Sequence, residues 1–304
     1  MRYRTIPTAD LRSLLDDAIN WFEQVLRRSI ASSRLAEIRD TLGRFDQPRS
    51  DLAQRAGIAE HLDDVTAYSS WTDALAFVRV WSALRDLSDQ VLPRRLLWRA
   101  IQGPLSPAAE TLDNSDSRNI LAQLEFAADL SLKGLRPLGF EDLEFDHRSC
   151  RYIAECKRPW SSDTTAVMRN LAKCYEQLHG ALERSASRVR RGLVVFVIDR
   201  IADLNLRLPE ETPVRGEEDV HALVQDVFRW FDDSYIRVAR TPTDRRIIAL
   251  VLVVRTLVHT LQDNTFGAVY VPVFIPLVGK ATKDYKRLSR LARQLKASGG
   301  VRSL

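Results

Sequence analysis

The chain has 304 residues, of which 45% are hydrophobic and 28% charged, with a formal net charge of +5. This balance is typical of a globular protein and excludes a disordered or low-complexity one, and the length suggests two domains of roughly 150 residues each. The most apolar stretches, 247–254 and 266–278, are shorter than the roughly 20 residues of a membrane-spanning helix, and the N-terminus has no apolar core of a secretory signal. We therefore expect a cytoplasmic protein that does not cross a membrane.

The sequence also excludes several classes of enzyme site. Cys150, Cys156 and Cys174 lack the CxxC spacing of a zinc or redox site and are too few for a disulfide framework, so we interpret them as core thiols. The five histidines show no HxH or HExxH spacing. Neither a glycine-rich phosphate loop nor a nucleophile elbow occurs, which argues against nucleotide-driven motors, dinucleotide enzymes and serine hydrolases.

In chain order, the first third reads as helical. Apolar residues recur at spacings of three and four over 11–26, and further helices are predicted over 71–91 and 93–101. Turn-forming residues are concentrated in 103–116 and predict a boundary there. Residues 1–112 are therefore predicted to be a helical N-terminal region that recognises substrate, a partner protein or a second copy of the chain.

The remaining residues, 113–304, change in character. The apolar periodicity and turn signals predict elements in this order: a helix over 118–135, strands over 136–141, 142–147 and 150–158, a helix over 163–184, a strand over 192–198, a helix over 217–231, strands over 247–254 and 268–274, and a basic amphipathic helix over 283–295. This order predicts an α/β core in which helices cover a small mixed sheet.

Potential chemistry is concentrated in the third of these strands. Successive side chains of a strand alternate between faces, so Glu155 and Lys157 share a face about 7 Å apart, and Asp142 on the preceding strand can project beside them. Carboxylate oxygens are the ligands of Mg²⁺, and a nearby ammonium stabilises charge on a phosphoryl group. Only seven of the 45 basic residues are lysines, which suggests that position 157 needs the compact ammonium of lysine and not the planar guanidinium of arginine. The simpler interpretation of Glu155 and Lys157 is a surface salt bridge on an edge strand.

Asp142, followed after twelve residues by Glu155-Cys156-Lys157, resembles the PD-(D/E)xK motif of restriction-endonuclease-like nucleases. The core of that family is ordered helix, three strands, helix, strand, as predicted above for 118–198. The resemblance implies that Asp142 and Glu155 bind Mg²⁺, with Mn²⁺ as a possible substitute, and that Lys157 assists the attacking water. Many members carry a further metal-binding glutamate on the preceding helix, and Glu125 occupies that place.

The motif departs from the family pattern at its first element. Glu141, and not proline, precedes Asp142, and Asp146 is an alternative acidic ligand at a shorter spacing from Glu155. Asp142 is favoured because the longer gap accommodates a hairpin turn.

Two basic stretches suggest contacts with nucleic acid. Arg169, Lys173 and Gln177 recur every four residues on one face of the helix after the motif, where they either contact phosphates or form a plain solvated face. Residues 279–304 contain eight basic residues and one acidic residue, a net +7 that exceeds the charge of the whole chain. Such a segment indicates a polyanionic partner, and its best candidates for contact are Lys286, Arg287 and Arg290.

Together these features predict a Mg²⁺-dependent endonuclease that hydrolyses phosphodiester bonds, with DNA favoured over RNA. Two alternatives stay open: a nucleic-acid-binding or assembly protein that keeps the fold without cutting, and a purely structural scaffold. Fold-level analogy suggests bacterial restriction or phage defence as the setting, and a homodimer or a partner protein as the assembly.

Overall fold

The computed structural model describes residues 5–6, 8–44, 62–88, 91–106, 109–111, 116–159, 163–184, 189–198, 225, 229, 231, 242, 244–260 and 265–297. The helices in this part of the chain are α1 (Thr8–Leu26), α2 (Arg34–Arg44), α3 (Leu62–Leu84), α4 (Arg94–Ala100), α5 (Asp116–Leu132), α6 (Thr164–Glu183) and α7 (Lys283–Ala297). The strands are β1 (Thr5–Ile6), β2 (Pro137–Phe140), β3 (Leu143–His147), β4 (Cys150–Lys157), β5 (Arg190–Val197), β6 (Ile247–Thr260) and β7 (Thr265–Pro276).

All seven of these strands form one open mixed sheet in the order β1-β7-β6-β5-β4-β3-β2. β2, β3 and β4 form an antiparallel meander, β4, β5 and β6 are parallel, and β7 returns antiparallel to β6. A parallel pair needs a crossover connection, and α6 provides it between β4 and β5. Helix α6 begins where the Asp163 carboxylate accepts a hydrogen bond of 3.0 Å from the Ala166 amide, which caps the first turn.

Helices cover both faces of the sheet. On one face, Leu193, Val195 and Val197 of β5 belong to a large core cluster that includes residues of α1–α5 and α7. On the other face, Val194 and Phe196 pack with the apolar side of α6. Coverage on both faces explains why β5 is a continuous apolar run and not an alternating one.

The structure confirms the predicted α/β class with a mixed sheet flanked by helices. The order α5, β2–β4, α6, β5 follows the predicted helix, three strands, helix and strand, with ends shifted by a few residues. Helix α2 and strand β1 were not predicted, α3 begins earlier than expected, and most of the helix predicted over 217–231 lies outside the described residues. The predicted thiol role is confirmed, since all three cysteines are buried and free.

The helical region and the sheet share one hydrophobic core. Helix α3 packs against α1, α2 and α5 and reaches β6, and its residues from Ser69 to Val78 are all buried. Helix α7 docks on this core through its apolar side, because Leu288, Leu291 and Leu295 are buried in the same cluster. None of the described helices is long and apolar enough to cross a membrane.

Candidate functional site

Strand β4 presents Glu155 and Lys157 on the sheet face that α6 covers. Ile153, two residues earlier on the same face, packs in the α6 core, whereas Cys156 belongs to the core of the opposite face. The side chains of Glu155 and Lys157 are 14% and 22% exposed, so both reach solvent at the rim of the core, and Lys157 Nζ lies 2.7 Å from Glu155 Oε1. The two groups predicted to share a face therefore form a half-buried ion pair.

This pair fixes the charge state of the lysine. Burial alone would lower the pKa of Lys157, but the charge of Glu155 and the hydrogen bond to it outweigh burial, and the pKa is raised. Lys157 is therefore an ammonium at neutral pH and can act as a cation, not as a base. The nearby Cys174 thiol on α6 is inert as a nucleophile, because burial and then the charge of Glu155 raise its pKa.

Asp142 lies in the turn between β2 and β3. Leu143, the first residue of β3, pairs with Ala154 of β4. Asp142 comes directly before Leu143 and Glu155 directly after Ala154, so both lie at the same end of this antiparallel pair. The half-buried carboxylate of Asp142 forms an ion pair with Arg184, the residue that ends α6. The sheet therefore brings Asp142 to the strand end that carries Glu155, but with a guanidinium partner.

The alternative acid, Asp146, is paired with Arg151. Arg151 Nε and Nη2 lie 3.0 and 3.1 Å from the two carboxylate oxygens of Asp146. Arg151 is opposite Asp146 in the ladder and precedes Glu155 by four residues, or about 13 Å of strand. The register thus favours Asp142 over Asp146 as the acid beside Glu155.

Glu125 does not join this site, contrary to the expectation that it supports the metal. Its side chain is buried on the other face of the sheet, where Arg255 Nη1 lies 3.3 Å from its Oε2. Arg255 shares a face of β6 with Val253, which belongs to the core opposite to α6. The sheet itself therefore separates Glu125 from Glu155.

Glu125 belongs instead to a buried charge cluster that sequence reasoning missed. At its centre, Asp73 of α3 lies 3.0 Å from Arg34, 3.2 Å from Arg118 and 3.5 Å from Arg255. Burial alone would raise the pKa of Asp73, but these guanidinium charges outweigh burial and lower it. The available signal was Asp73 itself, the one charged residue between Ala67 and Val78 of α3. The cluster ties α2, α3, α5 and β6 together.

These positions determine how a metal would be held. Among the described residues, no group of three or more His, Cys, Asp or Glu side chains is placed to hold a metal ion. Asp142 and Glu155 remain as a two-carboxylate set at one strand end. That set fits Mg²⁺, which proteins often hold through one or two carboxylates together with waters and the phosphates of a substrate. It does not fit a closed site made of protein ligands alone.

The predicted nucleic-acid contacts divide between the two faces of the sheet. Arg169, Lys173 and Gln177 are exposed on α6, turned away from its buried residues, and do not converge on Glu155. On α7, Lys286 and Arg290 are exposed, and Arg287 lies 2.7 Å from Asp284. Because α7 covers the face opposite to α6, its charges and the Glu155–Lys157 pair are on different sides of the sheet.

No protein-family model, curated protein or solved structure matches the chain.

Proposed function

We propose that the protein is a Mg²⁺-dependent endonuclease with a restriction-endonuclease-like core, and that its preferred substrate is DNA. The observation that supports this most is the Glu155–Lys157 pair at the end of the third strand of a helix, three-strand, helix, strand core. Asp142 reaches the same strand end from the preceding turn. This is the arrangement of carboxylates and ammonium that metal-assisted phosphodiester hydrolysis requires.

The residues divide the chemistry between them. Bound Mg²⁺ would supply an activated water and a charge partner for the phosphoryl oxygens. Asp142 and Glu155 would provide oxygen ligands, in competition with their present cations, Arg184 and Lys157 respectively. Lys157, as an ammonium, would stabilise the negative charge that develops on the phosphoryl group. The ion pairs therefore keep the site balanced in charge until substrate and metal arrive.

The distribution of positive charge supports a nucleic-acid partner. The segment 279–304 carries a net +7, and its cations on α7 lie outside the hydrophobic core. A nucleic-acid strand that contacts both α7 and the Glu155–Lys157 pair has to pass around the sheet, because the two lie on opposite faces. We propose that the helical residues 1–112 contact a partner protein or a second copy of the chain, and that the setting is bacterial restriction or phage defence by fold analogy alone.

A cleavage assay on labelled DNA and RNA, in Mg²⁺, Mn²⁺ or EDTA, tests the proposal. We expect DNA cleavage in either metal ion and none in EDTA. At saturating nucleic acid, Lys157→Met should abolish cleavage, whereas Lys173→Met, which removes an exposed lysine of α6 that at most contributes to substrate binding, should retain it. Intact nucleic acid in every condition, or equal losses in the two variants, would contradict the proposed site.

The second candidate is a protein that binds nucleic acid without cutting it. It is favoured by one observation: both Asp142 and Glu155 are already paired with cations, and Glu125 is held on the other face. This candidate predicts binding that is unchanged by Glu155→Gln and shows no dependence on divalent ions.

A further inference from the structure

A cavity lies at the opposite end of β4, on the face covered by α7. Its volume is about 240 Å³. The residues around it come from the end of β3, the start of β4, the turn between them and two turns of α7. At about 30 Å³ per water molecule, the cavity has room for roughly eight waters. That is enough for one compact hydrated anion but not for two nucleotides.

Tyr152 gives the cavity a polar base. The residue is 0% exposed, and its ring stacks on Phe145 with a centroid distance of 5.3 Å. Its hydroxyl interacts with the thiol of Cys150 and makes no hydrogen bond to a nitrogen or oxygen atom. A thiol is a weak hydrogen-bond partner, so a phosphate oxygen that took its place would be a better one for this hydroxyl.

Positive charge dominates the walls. Five cations line the cavity, namely Arg148, Lys283, Lys286, Arg287 and Arg290. The acid beside them, Asp284, lies 2.7 Å from Arg287 and 2.9 Å from Arg191, which leaves the other cations to act on the cavity. Arg148 has a φ of 56°, a conformation that a residue with a side chain rarely adopts, and it extends from the turn at the rim. Such walls select a multiply charged anion.

The cysteine of the cavity does not act as a nucleophile. Cys150 is the only thiol among its lining residues, and burial, before any other cause, raises its pKa. It is therefore protonated at neutral pH and unsuited to attack a phosphoryl group. The two acids of the candidate nuclease site, Asp142 and Glu155, do not line the cavity either.

We propose that this cavity is a binding site for a terminal phosphate group, a phosphomonoester that enters from the α7 side and accepts a hydrogen bond from Tyr152. A phosphomonoester is nearly a dianion and offers three oxygens, whereas an internal phosphodiester carries one charge and must pass through on both sides. Two sources share this chemistry: the phosphorylated end of a nucleic acid and a free nucleotide or phosphate. The proposal that the phosphate belongs to a nucleic acid rests on the proposed function. The cavity itself does not, because it lies on the face of the sheet opposite to the Glu155–Lys157 pair.

The test measures binding in EDTA, so that cleavage plays no part. Fluorescence anisotropy compares one oligonucleotide with and without a 5′-phosphate at about 0.15 M salt, where distant surface charges are screened. Competition with inorganic phosphate and with a mononucleotide distinguishes the two sources. The variants are Tyr152→Phe and Arg290→Gln, and Arg293→Gln removes a charge on the same helix outside the cavity as the matched control. Melting temperatures establish that each variant is folded.

We expect the phosphorylated oligonucleotide to bind more tightly than its unphosphorylated counterpart, and inorganic phosphate to compete. Arg290→Gln should weaken binding of the phosphorylated form roughly tenfold, the size of a lost hydrogen bond to a charged group, and Tyr152→Phe roughly threefold or more, the size of an ordinary hydrogen bond. Arg293→Gln should change it by less than about twofold. If a mononucleotide competes as well as the oligonucleotide, the ligand is a free nucleotide, and the proposed phosphate site is supported. No competition by phosphate or mononucleotide, or an equal loss in Arg293→Gln, overturns the proposal, whereas loss of cleavage alone leaves it intact.

Discussion

The ammonium of Lys157 lies 2.7 Å from the carboxylate of Glu155, two residues away on the same face of β4. This contact makes the pKa of the lysine depend on one neighbouring acid, because burial without that acid would lower it. The charge state of the candidate site is therefore set locally, within a single strand.

The first prediction concerns that dependence. Glu155→Gln removes the charge that raises the pKa of Lys157 and leaves burial as the main influence, so the lysine should titrate at lower pH than in the parent. NMR titration of the lysine side-chain resonances measures this, with the exposed Lys173 as an internal reference. A titration of Lys157 that is the same in both proteins would show that the pair is not formed in solution.

The second prediction concerns the buried charge cluster. Asp73→Asn leaves Arg34, Arg118 and Arg255 around a neutral group, and removal of one partner from a buried ionic network typically costs about 3–5 kcal/mol. The matched control is Asp40→Asn, since Asp40 is 59% exposed in its pair with Arg39 and should contribute less than about 1 kcal/mol. Urea unfolding measures both. Similar small losses in the two variants would mean that Asp73 is not the centre of a cluster.

The sequence predicted the meander and the Glu155–Lys157 pair because both depend on local patterns. Alternation along β4 and the apolar run of β5 are visible within eight residues. Helix α2 was missed because it is only 11 residues long, and Leu35, Ile38 and Leu42 are too few for their helical spacing to stand out. The position of Glu125 on the other face of the sheet was not predicted, for a different reason. Its place on α5 fits the family, but its partner Arg255 is 130 residues further along, and no local pattern reveals such a pairing.

Two glycines provide a third, paired prediction. Gly134 follows α5 with a φ of 77°, and the Leu135 amide donates to the Leu130 carbonyl at 2.9 Å, which closes the end of the helix. Gly134→Ala should therefore cost about 1 kcal/mol. Gly180 lies within α6 with open space around it, so Gly180→Ala should raise stability by about 0.5–1 kcal/mol. Thermal unfolding should show shifts of opposite sign, and shifts of the same sign would contradict the assigned backbone conformations.

The fourth prediction concerns pH. Burial, and then the charges of Arg148 and Arg290, lower the pKa of His147, while Gln294 opposes them through a hydrogen bond. The unfolded chain therefore binds this proton more readily than the folded one, and His147 makes stability fall as pH drops below about 6.5. Arg290→Gln should raise the pKa of His147 in an NMR titration, whereas Arg293→Gln should not. A shift in neither variant, or in both, would contradict the placement of α7 against the β3–β4 turn.

The central claim is that Asp142, Glu155 and Lys157 act without Glu125, and single-turnover cleavage of DNA in Mg²⁺ at saturating enzyme tests it most directly. The compared variants are Glu155→Gln and Glu125→Gln, assayed well below the melting temperature of each. Glu155→Gln should slow cleavage about 100-fold or more, the scale of losing a group that stabilises the transition state. Glu125→Gln should lower thermal stability but leave the rate within about threefold of the parent. Equal losses of rate in two folded variants, or no Mg²⁺-dependent cleavage by the parent, would contradict the account.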